Sequence, residues 1–352
     1  LNGFFESFRG SFGVRRYRHD ELDGEVVATA FTNNTTELEM LGHHRPLGRM
    51  KGSLGGTFLT RNFSTVGEES LGPPVDQKGF AVYLYEEVEA TRHLQLQFGG
   101  RVEGNRFSPK EIEPERDFTN FSGSFGLLVR PSDATTLAFS LASAARNPAL
   151  EELYFHGAHA GNNAFENGDP DLESEKALGF DASLRWRGGR VSGEVNYFLN
   201  RIDKFIYREL TGEVEDDLAV TQFVQGDAKL QGIESHLDLR LGDFWSVEGG
   251  LDYVKGDLTD IDKPLTRMPP MRGRVGLRFQ KNAFQAGGDG VFTAKQDRIF
   301  NIETPDGLVG ETATDGYNLL RFFTAYSFTA GRTISTITTL RLFLTIGRLP
   351  KK

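Results

Sequence analysis

The chain has 352 residues and carries 49 acidic against 40 basic side chains, a net charge of −9. That charge disfavours nucleic-acid binding, which needs a basic surface, and the absence of cysteine excludes disulfide and thiolate chemistry. Hydrophobic residues make up 38% of the chain, yet no run approaches the ~18 consecutive apolar residues of a membrane-spanning helix.

Apolar and polar side chains alternate strictly in segments that recur along the whole chain. In Leu94–Glu103, for example, Leu94, Leu96 and Phe98 share one parity and Gln95 begins the other. Side chains of a strand point alternately to opposite faces, so each segment predicts a strand with one apolar and one charged face. Segments of about 10 to 14 residues suit a tilted strand that crosses a membrane.

Fifteen strands of this kind are predicted in chain order. They are approximately 8–19, 24–42, 46–63, 77–89, 93–105, 117–130, 134–147, 173–186, 190–206, 219–240, 244–257, 268–281, 283–297, 316–329 and 333–346. Short turns such as Gly42–Leu47 alternate with mostly longer connections such as Pro148–Leu172. Transmembrane barrels have short periplasmic turns and longer extracellular loops, so the predicted fold is all-β, a transmembrane antiparallel β-barrel.

The two parities predict which face of each strand meets lipid. The apolar parity, which carries Phe98, Leu184, Val275 and Leu277, is expected to face lipid. The opposite parity is expected to face the barrel lumen. Its arginines, Arg272, Arg274 and Arg278, either bind an internal domain or line a path for an anionic chelate, or they only form the polar interior of a wide barrel.

One predicted strand changes phase. Leu230 and Gly232 lie on one parity, whereas Leu237 and Leu239 lie on the other. Either a bulge near Gly232 restores the lipid face, or the strand begins only at residue 233.

Several segments resemble the C-terminal barrel of TonB-dependent outer-membrane receptors. The most specific is the long connection, where Ala144–Tyr154 and Phe165–Glu175 resemble the family's Arg-x-Pro…Glu-Leu-Tyr and Gly-Asn-Pro-x-Leu-x-x-Glu runs. The second run departs only at Asp169, where Asn is usual. The resemblance covers residues 10–342 and ends after Leu342, where either a shift of reading frame, which is favoured, or a divergent terminus is expected.

The resemblance implies a partial barrel over residues 1–352, with about 15 of 22 strands. The signal segment, the N-terminal plug domain, the first strands and the closing C-terminal strand are expected to lie outside this sequence. Since 15 strands cannot close at the radius of 22, an open curved sheet is expected, with free edges at 8–19 and 333–346. A strained smaller barrel is the alternative.

The long connection holds the candidate substrate-binding residues. They are Arg146, Glu151, Tyr154, His156, His159, Phe165 and Glu166. Imidazole and carboxylate bind zinc or copper, and His156 and His159 would converge on a metal if a helical turn held them. Alternatively, hydrogen bonds from these histidines hold the fold of the loop.

The resemblance implies a receptor of the Gram-negative outer membrane for energy-coupled uptake of a siderophore, metal chelate or transition metal. Its expected partners are a TonB-type energy-coupling complex, outer-membrane lipid and the transported nutrient, with no cofactor and no nucleic acid. A passive porin-type channel is the alternative. An enzyme is not expected, because the sequence contains no nucleophile elbow or triad. The sequence leaves the substrate and the oligomeric state open.

Overall fold

The alternating pattern produces long strands that run almost the whole chain. The computed structural model describes residues 3–67, 70–110, 114–159, 163–304, 307–330 and 336–348. In chain order the elements are β1 (Phe5–Asp23), β2 (Val26–His44), β3 (Met50–Gly67), β4 (Val75–Thr91), β5 (Leu94–Pro109), β6 (Arg116–Ser132), β7 (Thr135–Arg146), α1 (Leu150–Tyr154), β8 (His156–His159), β9 (Ala164–Asn167), β10 (Glu175–Gly188), β11 (Val191–Glu215), β12 (Leu218–Leu241), β13 (Trp245–Leu258), β14 (Lys263–Pro264), β15 (Arg272–Lys281), β16 (Phe284–Thr293), β17 (Asn301–Thr304), β18 (Gly307–Gly310), β19 (Tyr317–Ala330) and β20 (Thr336–Arg348).

All fifteen predicted strands are present as the long strands of one sheet. Each long strand pairs antiparallel with the next long strand in the chain, which is a meander. The short strands β8, β9 and β14 join the same sheet, which brings it to 18 strands, whereas β17 and β18 pair only with each other. No helix of the described residues is long and apolar enough to cross a membrane.

The sheet is open. β1 pairs with β2 and β20 pairs with β19, but across the described ranges no ladder joins β1 to β20. The predicted open sheet is therefore confirmed, and the strained smaller barrel is not formed.

The two faces of the sheet have the predicted polarity. We call the face that carries Phe98, Leu184, Val275 and Leu277 the outer face, and these side chains are between 40% and 56% exposed. The opposite face, which we call the inner face, carries Arg272 and the other arginines of β15. Because large apolar side chains exposed in such numbers need an apolar surrounding, the outer face is the surface suited to lipid.

The predicted phase change in β12 has a different cause from the two that were considered. Residues 228–239 pair with β11 and β13 without a register shift, so there is neither a bulge near Gly232 nor a strand start at residue 233. Instead the buried face changes along the strand. Ala228 and Leu230 lie on the inner face and pack in a cluster with Leu258 and Leu265, whereas Leu237 is exposed on the outer face.

β11 and β12 are the longest strands and extend well past their neighbours. β10 pairs with β11 only as far as Asp203, while β11 continues to pair with β12 up to Glu215. The hairpin turns at Asp216 and Asp217, both with positive φ, 50° and 60°. Those angles correspond to the turn type that matches the twist of a two-residue hairpin.

Candidate functional site

The described residues of the long connection between β7 and β10 fold into a compact unit, which we call the loop layer (residues 148–159 and 163–172). Pro148 precedes a short helix, α1, whose first turn is capped by Glu152, which accepts a hydrogen bond from the backbone N–H of Ala149 at 2.8 Å. A carboxylate at this position satisfies an N–H that has no partner within the helix.

After the helix the loop layer forms a hairpin and attaches to the sheet. β8 pairs antiparallel with β9, and β9 pairs parallel with residues 219–222 of β12. β9 therefore covers the edge of β12 where β12 extends past β13. That edge would otherwise present unpaired backbone groups.

The loop layer has its own apolar core against the inner face. Leu150, Leu153, Tyr154 and Phe155 are buried in a cluster that includes Phe107 of β5. The cluster also takes in Phe31, Leu71, Val75, Phe118, Leu172 and Ile206 from strands β2, β4, β6 and β11 and the connections beside them. Residues from both halves of the sheet thus share one core, which holds the loop layer across the inner face.

Arg146 fastens the two ends of the loop layer to each other. It binds Glu175 on the neighbouring strand through two hydrogen bonds of 2.7 Å and reaches Glu152 of α1 at 2.9 Å. The hydrogen bonds to Glu175 are the main reason that the pKa of the Arg146 guanidinium is raised. Bidentate contacts of this kind fix the orientation of the guanidinium and also pair its charge.

Two further ion pairs tie the loop layer to distant strands. Glu151 accepts a hydrogen bond from Arg61 of β3 at 2.8 Å. On the other side Glu166 of β9 accepts hydrogen bonds from Arg208 of β11 and, at 3.1 Å, from the ring of His159. Tyr154 donates its hydroxyl proton to the carbonyl of Pro114 at 2.9 Å.

The two histidines do not lie on a helix, as the prediction of a helical metal pair required. A helix does form at Leu150–Tyr154, but it ends before them, and both histidines lie on β8. Three residues apart on a strand they point to opposite faces. His156 contacts Asn167 at 2.7 Å, and His159 contacts Glu166. Within the described ranges, no three metal-ligating side chains come together.

Six of the seven predicted residues therefore lie in the loop layer, and the seventh, Arg146 at the end of β7, is bound to it through Glu152. Tyr154, Phe165 and Glu166 are buried, at 5% exposure or less, whereas Arg146 and His156 are exposed. The partners Arg61 and Arg208 were not predicted, since each lies far along the chain from its carboxylate and no local pattern marks it.

The inner face of β11–β19 forms a second polar region, a groove of about 750 Å³ lined by charged side chains. The predicted inward direction of Arg272, Arg274 and Arg278 is confirmed. Arg272 pairs with Asp252 at 3.0 Å, and Arg278 pairs with Glu248 at 3.0 Å. Acidic and basic side chains on neighbouring strands neutralise each other over most of this face.

Comparison with known proteins agrees with this architecture. Residues 2–346 match the model of a protein family described as TonB dependent receptor-like, beta-barrel. The match includes the loop layer and both faces of the sheet.

Three solved structures share the fold. The copper transporter OprC superposes with a TM-score of 0.74 at 16% identity, over 91% of this chain and 56% of that chain. The FrpB iron transporter from Neisseria meningitidis (F5-1 variant) superposes with a TM-score of 0.73 at 15% identity, over 99% of this chain and 62% of that chain. A mutant of the ferric enterobactin receptor PfeA from Pseudomonas aeruginosa gives 0.69 at 15% identity, over 91% and 50%.

This chain thus spans less than two thirds of each of these structures. The family match over nearly all of its length agrees with the open meander, the outer apolar face and the loop layer. The chain belongs to the family of TonB-dependent receptor-like β-barrels.

Proposed function

We propose that this barrel is part of an outer-membrane receptor that imports a scarce nutrient, with a siderophore, another metal chelate or a transition metal as cargo. The observation that carries the proposal is the family match over residues 2–346. The similarity to transporters of copper and iron and to a ferric enterobactin receptor supports the cargo class.

The proposal includes the place and the energy source of the transport. The exposed apolar outer face suits the lipid of a Gram-negative outer membrane, and strands can satisfy their backbone groups there by pairing. Uptake of a dilute cargo needs energy, which a TonB-type complex would supply to the full-length receptor. No enzymatic step belongs to this function.

Within the loop layer we assign two roles. Tyr154, Phe165 and Glu166 are buried and support the layer, as does Glu151 through its ion pair with Arg61. We assign contact with a passing cargo to the exposed side chain of His156 and the partly exposed side chain of His159. Arg146 is also exposed, but Glu152 and Glu175 hold it.

The test is uptake by a strain that lacks its own metal receptors and expresses the full-length receptor containing this barrel. Accumulation of radiolabelled iron or copper, supplied free or as chelates, is measured with and without a protonophore. We expect uptake that saturates and that the protonophore abolishes. Uptake that is linear in concentration and insensitive to the protonophore would instead identify a passive channel.

A pair of histidine variants tests the loop layer. His156→Ala is expected to raise the half-saturating cargo concentration several-fold while protein level stays constant. The matched control is His93→Ala, because His93 is also exposed but lies at the short turn between β4 and β5, at the opposite end of the strands from the loop layer. Equal kinetics for both variants would contradict a cargo contact at His156.

A further inference from the structure

Three arginines line the inner groove, and a fourth, Arg278, binds the lining residue Asp289. Of these four arginines, three have carboxylate partners. Arg272 binds Asp252 at 3.0 Å. Arg278 binds Glu248 at 3.0 Å, and Arg321 binds a nearby aspartate at 2.8 Å. These three positive charges are therefore neutralised by carboxylates of the inner face.

Arg274 is the exception. Among the described residues no carboxylate lies within 4.0 Å of it, and its polar contact is the ring nitrogen Nδ1 of His236, at 3.5 Å. The side chain is exposed. Arg274 therefore presents an unneutralised guanidinium to the groove.

The register of the sheet explains why these two side chains meet. His236 of β12, Gly250 of β13 and Arg274 of β15 occupy one row, because His236 pairs with Gly250 and Gly250 pairs with Arg274. Gly250 has no side chain, so the two larger residues reach toward each other over it. The next strand places Val291 opposite Arg274, which supplies no charge.

The charges around the pair leave it available for an anion. The Nε2 atom of His236 contacts Asp238 at 2.9 Å. Across the row on β11, Glu194 is held by Arg185 at 2.9 Å and does not reach Arg274. Glu234, two residues along β12, also lines the groove, and its negative charge disfavours a bulky polyanion on that side.

We propose that Arg274 and His236 form a binding site for a single carboxylate group inside the barrel. The planar guanidinium offers parallel N–H donors that match the two oxygens of a carboxylate. The Nδ1 atom of His236 is the present acceptor for this guanidinium at 3.5 Å, and an entering carboxylate would take its place beside the ring. The proposal deepens the proposed function, because it rests on the inner face being the receptor lumen.

Two sources can supply that carboxylate. One is a soluble anion that passes through the lumen. The other is an aspartate or glutamate of a protein domain seated against the inner face. Both use the same chemistry, and they differ in whether the site is open to solvent in the full-length receptor.

The experiment is a titration of the 352-residue chain in detergent micelles with succinate, followed through the ring resonances of its histidines. The His236 signal is assigned with His236→Gln. Succinamide serves as the neutral control ligand. Because binding is measured directly, failure here does not bear on whether the receptor imports a nutrient.

We expect a saturating shift of the His236 signal with succinate and none with succinamide. Arg274→Gln should weaken the affinity about tenfold or more, since it removes charge-assisted hydrogen bonds. The matched control Arg101→Gln removes an inner-face arginine of β5, outside the groove, and should change the affinity less than about twofold. No saturable shift, the same shift with succinamide, or equal affinities of Arg274→Gln and the parent chain would overturn the proposal.

The same titration in the full-length receptor separates the two sources. If the natural occupant is a soluble anion, succinate shifts the His236 signal there as well. If an internal acidic side chain occupies the site, succinate loses its effect, while Arg274→Gln still changes the position of the His236 signal.

Discussion

Arg208 of β11 donates a hydrogen bond to the carboxylate of Glu166, which lies 42 residues earlier in the chain on β9. The Glu166 side chain is only 3% exposed, and Arg208 is 27% exposed. A carboxylate so deeply buried costs free energy unless it is paired and hydrogen-bonded. We therefore expect the pair to help hold the loop layer on the β11–β12 hairpin.

Replacing Arg208 should open that end of the loop layer. In Arg208→Met the buried carboxylate of Glu166 loses the guanidinium that pairs with it. We expect the local free energy of opening for β8 and β9 to fall by about 2–3 kcal/mol. Faster amide hydrogen exchange of residues 156–159 and 164–167 measures this loss.

The double variant Arg208→Met with Glu166→Gln is the control, because it removes the buried charge together with its partner. Its exchange rates should recover toward those of the parent protein. If both variants exchange equally fast, the pair is not what holds the layer.

The outer face should reject charge more strongly than the inner face. Phe58 of β3 is 48% exposed on the outer face. Its neighbour Thr57 lies on the inner face, where it lines a shallow pocket together with Glu39. Phe58→Arg is expected to cost about 2–4 kcal/mol of stability in lipid bilayers. Thr57→Arg, next to a carboxylate, should cost much less.

Unfolding of the two variants by guanidinium in lipid vesicles measures the difference. The two positions are adjacent on one strand, so depth in the membrane and strand propensity are matched. Similar losses for both variants would contradict the assignment of the faces.

The long strands could be predicted because their signal is local. Alternation with a period of two predicts both the existence of a strand and its faces in the fifteen long strands, apart from the change of buried face in β12. The short strands β8, β9, β14, β17 and β18 were not predicted. The open edges followed from the family resemblance, which implies 22 strands, because 15 strands cannot close at the radius of 22.

The details of the loop layer could not be predicted in the same way. The pairs of Arg61 with Glu151 and of Arg208 with Glu166 join residues that are 90 and 42 positions apart. Such pairs depend on how the loop crosses the sheet. Likewise, Ala228 is buried on the inner face because it packs under a loop. In the sequence, an apolar residue on that face looks like a change in the phase of the alternation.

Replacing Asp217 with glycine should stabilise the turn between β11 and β12. Asp217 has φ of 60°, a left-handed conformation that costs a residue with a Cβ atom about 1–2 kcal/mol. Part of that gain is lost to the greater freedom of glycine in the unfolded chain. Asp217→Gly should therefore stabilise the hairpin by about 0.5–1 kcal/mol, seen as slower amide exchange at Glu215 and Leu218.

Asp217→Ala tests the cause. Alanine lacks the polar side chain that helps aspartate adopt this conformation, so it should accelerate exchange at the same two amides. A stabilising alanine would rule out backbone strain as the explanation.

The final prediction concerns His44, at the end of β2 where a short turn leads to β3. Its Nδ1 atom contacts the carbonyl of Arg45 at 2.7 Å, and its Nε2 atom contacts Glu86 at 3.0 Å. Both partners are acceptors, so the doubly protonated ring satisfies both. The pKa of His44 is accordingly raised above 6.5, first by the Arg45 carbonyl and then by Glu86. A titration of the ring resonance should show this directly.

The sign of the effect on stability follows from the direction of that shift. A raised pKa means that the folded protein holds the proton more tightly than the unfolded chain. The stabilisation is thus complete below pH 6.5 and is lost as pH rises through the pKa of the folded state. Glu86→Gln should lower the pKa of His44 but leave it above 6.5, because the Arg45 carbonyl remains. A titration midpoint that does not move in Glu86→Gln would show that Glu86 contributes nothing.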